Sequence, residues 1–144
     1  MKLTADILKQ TIDTLHIGIV LVDNDDKIVL FNRVAGEMLK QDPTSRVGTS
    51  IYRCHGEVSE PVVKKMLTDI RSGTLKYYEG WVDYLGRMLF EHIYPIRDEK
   101  GKCILVLEEL HDAAEKAEHL KSRSEWKDIH VSGVGAKSPR SPKP

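Results

Sequence analysis

Apolar positions along the chain fall into blocks whose spacing switches from helical to extended and back. Leu8, Ile12 and Leu15 recur at i, i+4 and i+7 behind Thr4, a residue suited to cap a helix, which predicts a short amphipathic docking helix. Residues 17–22 are then a continuous apolar run, rich in β-branched side chains and too short for a helix, which reads as a buried strand. A polar turn at 24–27 joins it to a second apolar run at 28–31, giving a hairpin. Asn32 stops that strand and is placed to cap a helix whose face is Val34, Ala35, Met38 and Leu39, with Asp42-Pro43 at its end.

Residues 44–58 show no steady period, are punctuated by Gly48 and Gly56, and contain the dipeptide Cys54-His55. Ser59-Glu60-Pro61 opens the next helix, Val62, Val63, Met66, Leu67 and Ile70 form its face, and Gly73 closes it. Three strands follow at 75–83, 87–96 and 102–109, separated by Tyr84-Leu85-Gly86 and by the turn 98–101. Leu110, Ala113, Ala117 and Leu120 then make one narrow seam of an exposed exit helix, able to pair with a copy of itself. The expected division is a domain over 1–112, a C-terminal amphipathic linker helix over 113–130, and a disordered Gly/Ser/Lys/Pro tail over 131–144.

Composition narrows the function classes. The chain has 144 residues, enough for one domain with its own core. Lysine plus arginine number 22 and aspartate plus glutamate also number 22, so no global field draws in nucleic acid or an anionic membrane. Lys137, Arg140 and Lys143 make the tail basic, but three charges on a tail do not amount to a nucleic-acid reader. Two cysteines make no disulfide scaffold, and neither a signal peptide nor a membrane-length apolar run is present, so the expected compartment is the reducing cytoplasm.

The order helix, two strands, short helices, three strands, exit helix is α+β: an antiparallel sheet with helices on one face. On the residues Ile12 to Asp23, Ile28-Val29-Leu30-Phe31-Asn32, Ala35-Gly36-Glu37-Met38-Leu39 and, later, Tyr94-Pro95-Ile96-Arg97-Asp98-Glu99-Lys100-Gly101, the chain resembles a PAS domain over about residues 5–112. His16 stands where many such domains have proline. The resemblance implies a five-stranded antiparallel sheet of spatial order 2-1-5-4-3, with short helices enclosing a small cavity on one face. It also implies a sensory or relay module that binds a ligand there or dimerises through flanking helices. Ligands in the family range from haem and flavin to small carboxylates, and some members have none, so the fold leaves the ligand open. A narrower likeness, at Cys-His before the long helix and at 82–96, is to prokaryotic PAS modules, some of them joined to hemerythrin-like domains.

The candidate cofactor-binding residues are Cys54, His55, His92 and Trp81. Thiolate and imidazole side by side are ligands for haem iron or another metal; the plainer reading is a small buried hydrophobe beside a histidine bonded to a backbone carbonyl. Covalent haem attachment is excluded, because Cys-x-x-Cys-His would need cysteine where Ile51 stands. The resemblance also puts haem ligands of the family on the long helix, which here has no histidine. Glu91 and His92 must face opposite sides of one strand, and Trp81, Tyr77 and Tyr78 either line a pocket or pack across strands. His111-Asp112 lacks the Leu-Arg-x-x-Pro continuation of a kinase phosphoacceptor and reads as a solvated strand-to-helix junction. No phosphate loop, zinc-protease helix or nucleophile elbow occurs. The expectation is a homodimeric, non-enzymatic sensor that takes a small ligand and acts on a separate effector protein. A haem- or metal-based redox or gas sensor using Cys54-His55 is the alternative, and a Cys54 thiol enzyme comes third.

Overall fold

The computed structural model describes residues 1–125 and the strand at 131–134. Helix α1 (Ala5–Thr14) leads into β1 (Gly18–Val22) and β2 (Ile28–Phe31). Helices α2 (Arg33–Leu39) and α3 (Pro43–Arg46), a 3-10 turn (Ile51–Cys54) and the long α4 (Glu60–Ser72) follow. The chain then forms β3 (Tyr78–Tyr84), β4 (Arg87–Arg97) and β5 (Cys103–Asp112), helix α5 (Ala114–Ser122) and strand β6 (Val131–Val134). The sheet order is β2-β1-β5-β4-β3-β6. Its first five strands are antiparallel and in the expected order 2-1-5-4-3. Helices α2, α3 and α4 pack on these strands, and the core lies between, built on Val20, Val22, Ile28, Leu67, Ile70, Leu89, Ile93, Val106 and Leu110.

Local chemistry explains most element ends. The Thr4 side chain accepts the Ile7 N–H, and the Asn32 side chain accepts the Ala35 N–H, as N-caps do. Asp42 closes nothing: Lys40, at φ 51°, has already ended α2, and the Asp42 carboxylate caps α3, with Pro43 at its first turn. Ser59 makes no side-chain cap; its hydroxyl donates to the Gly56 carbonyl instead. At the other end of α4 Gly73 takes φ 84°, and the Leu75 N–H reaches back six residues to Asp69. Leu75 is thus tied to the end of α4 and packs against the core, and β3 starts only at Tyr78.

Asn32 is the one buried polar residue among the described core positions, and its amide is fully used. Its Oδ1 accepts from Ile19 N at 2.8 Å and Ala35 N at 2.9 Å, while its Nδ2 donates to the carbonyls of Ile12 and Ile17, both at 3.0 Å. One side chain therefore ties the end of α1, the start of β1 and the start of α2. Gly18 serves the same corner by its lack of a side chain: an added Cβ would lie 3.0 Å from the Ala35 backbone and 3.0 Å from Leu110. Gly18→Val is expected to cost about 1–3 kcal/mol through overpacking; urea unfolding checks it, and an unchanged midpoint would mean α2 can lift off β1 freely.

The C-terminal region departs from the sequence reading. Leu110 ends up in β5, and Ala113 and Ala117 are 4% and 1% exposed. The alanine seam expected to meet a second copy is thus covered by its own domain, on the β4 side; small residues there allow the close approach. Helix α5 ends at Ser122, and residues 126–130 of the expected 113–130 helix lie outside the described residues. Of the stretch set aside as a tail, Val131–Val134 pairs in parallel with β3, Trp81 opposite Val131 and Tyr84 opposite Val134. The β3 edge offers a row of backbone groups that need partners, which outweighs the poor local composition. Residues 135–144, with Lys137, Arg140 and Lys143, lie outside the described residues.

Candidate functional site

Strand alternation sorts β3, β4 and β5 into two chemically different faces. Leu89, Ile93, Val106 and Leu110 point to the helices and are all nearly inaccessible. On that same inner row stand Glu91, between Leu89 and Ile93, and Glu108, between Val106 and Leu110. The register sets Glu91 opposite Leu110 and Glu108 opposite Ile93, so the two glutamates are diagonal neighbours, and their carboxyls share a hydrogen bond. Neither is among the residues that sequence reading selected. The legible signal was a charge interrupting an apolar alternation at matching places on two adjacent strands.

Burial dominates the chemistry of this pair. It pushes Glu91 well above the ordinary carboxylate range, and the neighbouring Glu108 pushes it further. Glu108 is also raised by burial, while the hydrogen bond with Glu91 pulls it down. The pair therefore keeps a proton to higher pH than free glutamates do, and that proton belongs to both. Although desolvated, both residues retain partial accessible surface, so they border space that a water-sized molecule reaches.

Tyr78 and Cys54 bring further polar groups to the pair, with Arg46 beside Cys54. Gly80 of β3 lies opposite Glu91, and a Cβ there would fall 2.6 Å from the hydroxyl of Tyr78, so the missing side chain is what lets the Tyr78 ring lie across the strand. Burial and the Glu91 charge both raise Tyr78. Cys54, at the end of the 3-10 turn, has its thiol raised by burial, lowered by Arg46 and raised by Glu108. Arg46 contacts the Cys54 sulfur through Nη2, and its buried Nε has no hydrogen-bond acceptor among the described residues. His55, half-buried, is held below its ordinary value by burial first and by Arg46 second, against the opposing pull of Glu60.

The four residues chosen from sequence split across the sheet. Cys54 and His55 lie on the inner side with Arg46 and Glu108, whereas Trp81 and His92 lie on the outer face. Trp81 packs edge-on against its cross-strand partner Phe90, ring centroids 5.3 Å apart, and His92 meets Tyr77 edge-on and Tyr94 at a tilt. No single cofactor could be held by all four. Burial raises the Cys54 thiol, the reverse of what activates a nucleophile. His111 and Asp112 are the last two residues of β5, at its junction with α5: Asp112 accepts the Ala114 N–H at 3.1 Å and is paired with Arg87 at 2.6 Å.

An open antiparallel sheet of order 2-1-5-4-3, its inner face covered by short helices over a polar-edged interior, defines a class of sensory α+β domains. The family model for the PAS domain matches residues 8–112, and the chain belongs to that family. Solved structures agree. A C-terminal domain from Streptococcus mutans is 26% identical, with a TM-score of 0.69 over 81% of this chain and 90% of that one. The PAS domain of BvgS from Bordetella pertussis is 17% identical, with a TM-score of 0.63 over 85% and 96%. A PAS domain from Colwellia psychrerythraea is 18% identical, with a TM-score of 0.59 over 76% and 99%. No curated protein matches the chain. Among the described residues no helix is long and apolar enough to cross a membrane.

Proposed function

We propose that this PAS domain senses a small polar molecule held against the inner face of the sheet, and relays its presence through β5 and the flanking helices to a separate effector protein. The Glu91–Glu108 pair carries the reading. Two carboxyls set into an apolar row cost stability that hydrophobic residues would not, which points to a role other than holding the fold. Their shared proton offers a donor and their free oxygens offer acceptors. Arg46, with its unpartnered Nε, supplies a cationic donor near Cys54. A ligand that fits has at least one hydrogen-bond donor for the carboxyls and one acceptor for the guanidinium. Glu108 lies four residues before the end of β5, which leads directly into α5, and β5 also pairs with β1, which follows α1. With Ala117 covered within the domain, α1 and its end offer an exposed surface for a second copy, where Leu8 and Leu15 lie beside a shallow groove lined by Ile7, Thr11 and His16.

Native mass spectrometry and an absorption spectrum of the protein as purified test this together. The expected result is a dimer carrying a small-molecule mass increment that Glu91→Leu/Glu108→Leu loses. A Soret band lost in His55→Ala would replace this reading with the haem alternative. Bare protein that shows no change in α5 protease sensitivity across a panel of amino acids, amides and small carboxylates would overturn it.

A further inference from the structure

The chain from the 3-10 turn to the end of α4 is fastened at both ends to one residue, Asp26. This residue sits in the β1–β2 turn at φ 61°. Its carbonyl accepts the Ile51 N–H at 2.9 Å. Its carboxylate takes a side chain from each end of the span: Oδ2 accepts the Tyr52 hydroxyl at 2.9 Å, and Oδ1 lies 2.7 Å from Nη2 of Arg71. Arg71 also donates to the Asp23 carbonyl at 2.8 Å, and Arg97 holds the same end of α4 through the Ile70 carbonyl at 2.9 Å.

Burial divides the span in the same way. Ile51 before it, and Leu67 and Ile70 in the second half of α4, are core residues. Between them Gly56, Glu57, Glu60 and Pro61 are exposed, and Val58 and Val62 are 82% and 59% exposed. A Cβ added at Gly56 would meet nothing within 4 Å. The backbone here bonds locally, with the Ser59 and Glu60 N–H groups both donating to the Gly56 carbonyl at 3.0 Å. Segments with few buried contacts and local hydrogen bonds open at a lower free energy than the fold as a whole. Beneath this one lies the inner side of the sheet. Cys54 and His55, at its near end, are half-buried, and the charge of Glu108 is close enough to act on the Cys54 thiol. Val63 and Met66, on its underside, touch the core but are only partly buried.

We infer that residues 55–66 are a lid that opens as a unit to connect solvent with the inner face of the sheet at Cys54 and Glu108, and that Asp26 is the positioning residue that holds it shut. As an entrance for a small polar molecule the lid rests on the ligand reading above; its motion is measured without any ligand, so the two stand or fall separately. The experiment alkylates the ligand-free full chain with iodoacetamide and follows each cysteine by peptide mass. Cys54 lies at the edge of the lid, whereas Cys103, buried in β5, reports opening of the sheet itself. The charged groups that shift the Cys54 thiol are Arg46 and Glu108, so changes at Asp26 and Tyr52 alter its access and not its reactivity. Tyr52→Phe should speed Cys54 about tenfold, through loss of one hydrogen bond to a charged group, and leave Cys103 unchanged. Asp26→Asn tolerates the positive φ but turns an amide nitrogen towards one of the two donors, and should speed Cys54 at least as much. Three results would each overturn the inference: an unchanged Cys54 rate in both variants, Cys54 and Cys103 accelerating together, or a Cys54 rate in the natural protein already equal to that of the urea-unfolded chain.

Discussion

Asn32→Ala is expected to destabilise the fold by about 3 kcal/mol or more, the largest loss for any single side chain described above. The change removes an N-cap, worth about 1 kcal/mol, and leaves two backbone N–H groups and two carbonyls in the interior without their partner, at about 1–3 kcal/mol for each group left unsatisfied. Relaxation and water entry recover part of that sum. For a domain of this size the loss corresponds to a fall in Tm of roughly 6–12 °C. Asn32→Asp separates the two halves of the argument. It retains an acceptor for Ile19 and Ala35 but turns a carboxylate oxygen towards the Ile12 and Ile17 carbonyls, so it should unfold more readily as pH rises above the carboxylate range. Chemical denaturation read by circular dichroism decides; a loss below 1 kcal/mol for Asn32→Ala would show that the α1–β1–α2 corner is held by packing alone.

Glu91→Leu/Glu108→Leu is expected to act in the opposite direction, raising stability by about 1–4 kcal/mol at pH 8, the range seen when buried charged groups give way to hydrophobes. The sign follows from linkage. Both carboxyls are raised in the folded protein, so the unfolded chain ionises first as pH rises. Stability is fully present below the unfolded glutamate value near 4.5 and is lost as pH climbs towards the raised folded values. The natural protein should therefore weaken from weakly acidic to alkaline pH, and the double variant should lose that part of the slope. Either single leucine leaves one carboxyl without its partner and gains less. Equal slopes in both proteins, from urea midpoints across pH 4–9, would place the pair in water rather than in the interior.

How much of this could be read from sequence depends on the range of the interactions. The caps at Thr4 and Asn32, Pro61 in a first turn and Gly73 at a helix end act within a turn of themselves, so α1, α2 and α4 were legible from capping and spacing, whereas the bonds of Asn32 to Ile12, Ile17 and Ile19 were not. The sheet order came with the family resemblance rather than from any pattern of periodicity. What escaped was long-range. Leu75 carries a strand-like side chain but serves the cap of the preceding helix, and Ala117 looks solvent-facing until β4 is known to lie under it. The candidate site failed for the same reason. Cys54-His55 drew attention because its residues adjoin in sequence, while Glu91 and Glu108 are 17 positions apart and meet only through the β4–β5 register. Spacing along one chain carries no information on which charges two strands will turn to the same side.

Glu108 and Glu109 are consecutive, and their side chains leave β5 in opposite directions. This strand has β1 on one side and β4 on the other, so it has no free edge along which to slip alone. A single rigid ribbon thus separates two chemically distinct compartments with adjacent carboxylates. Whatever perturbs either compartment acts on the same peptide units, those that run on into α5.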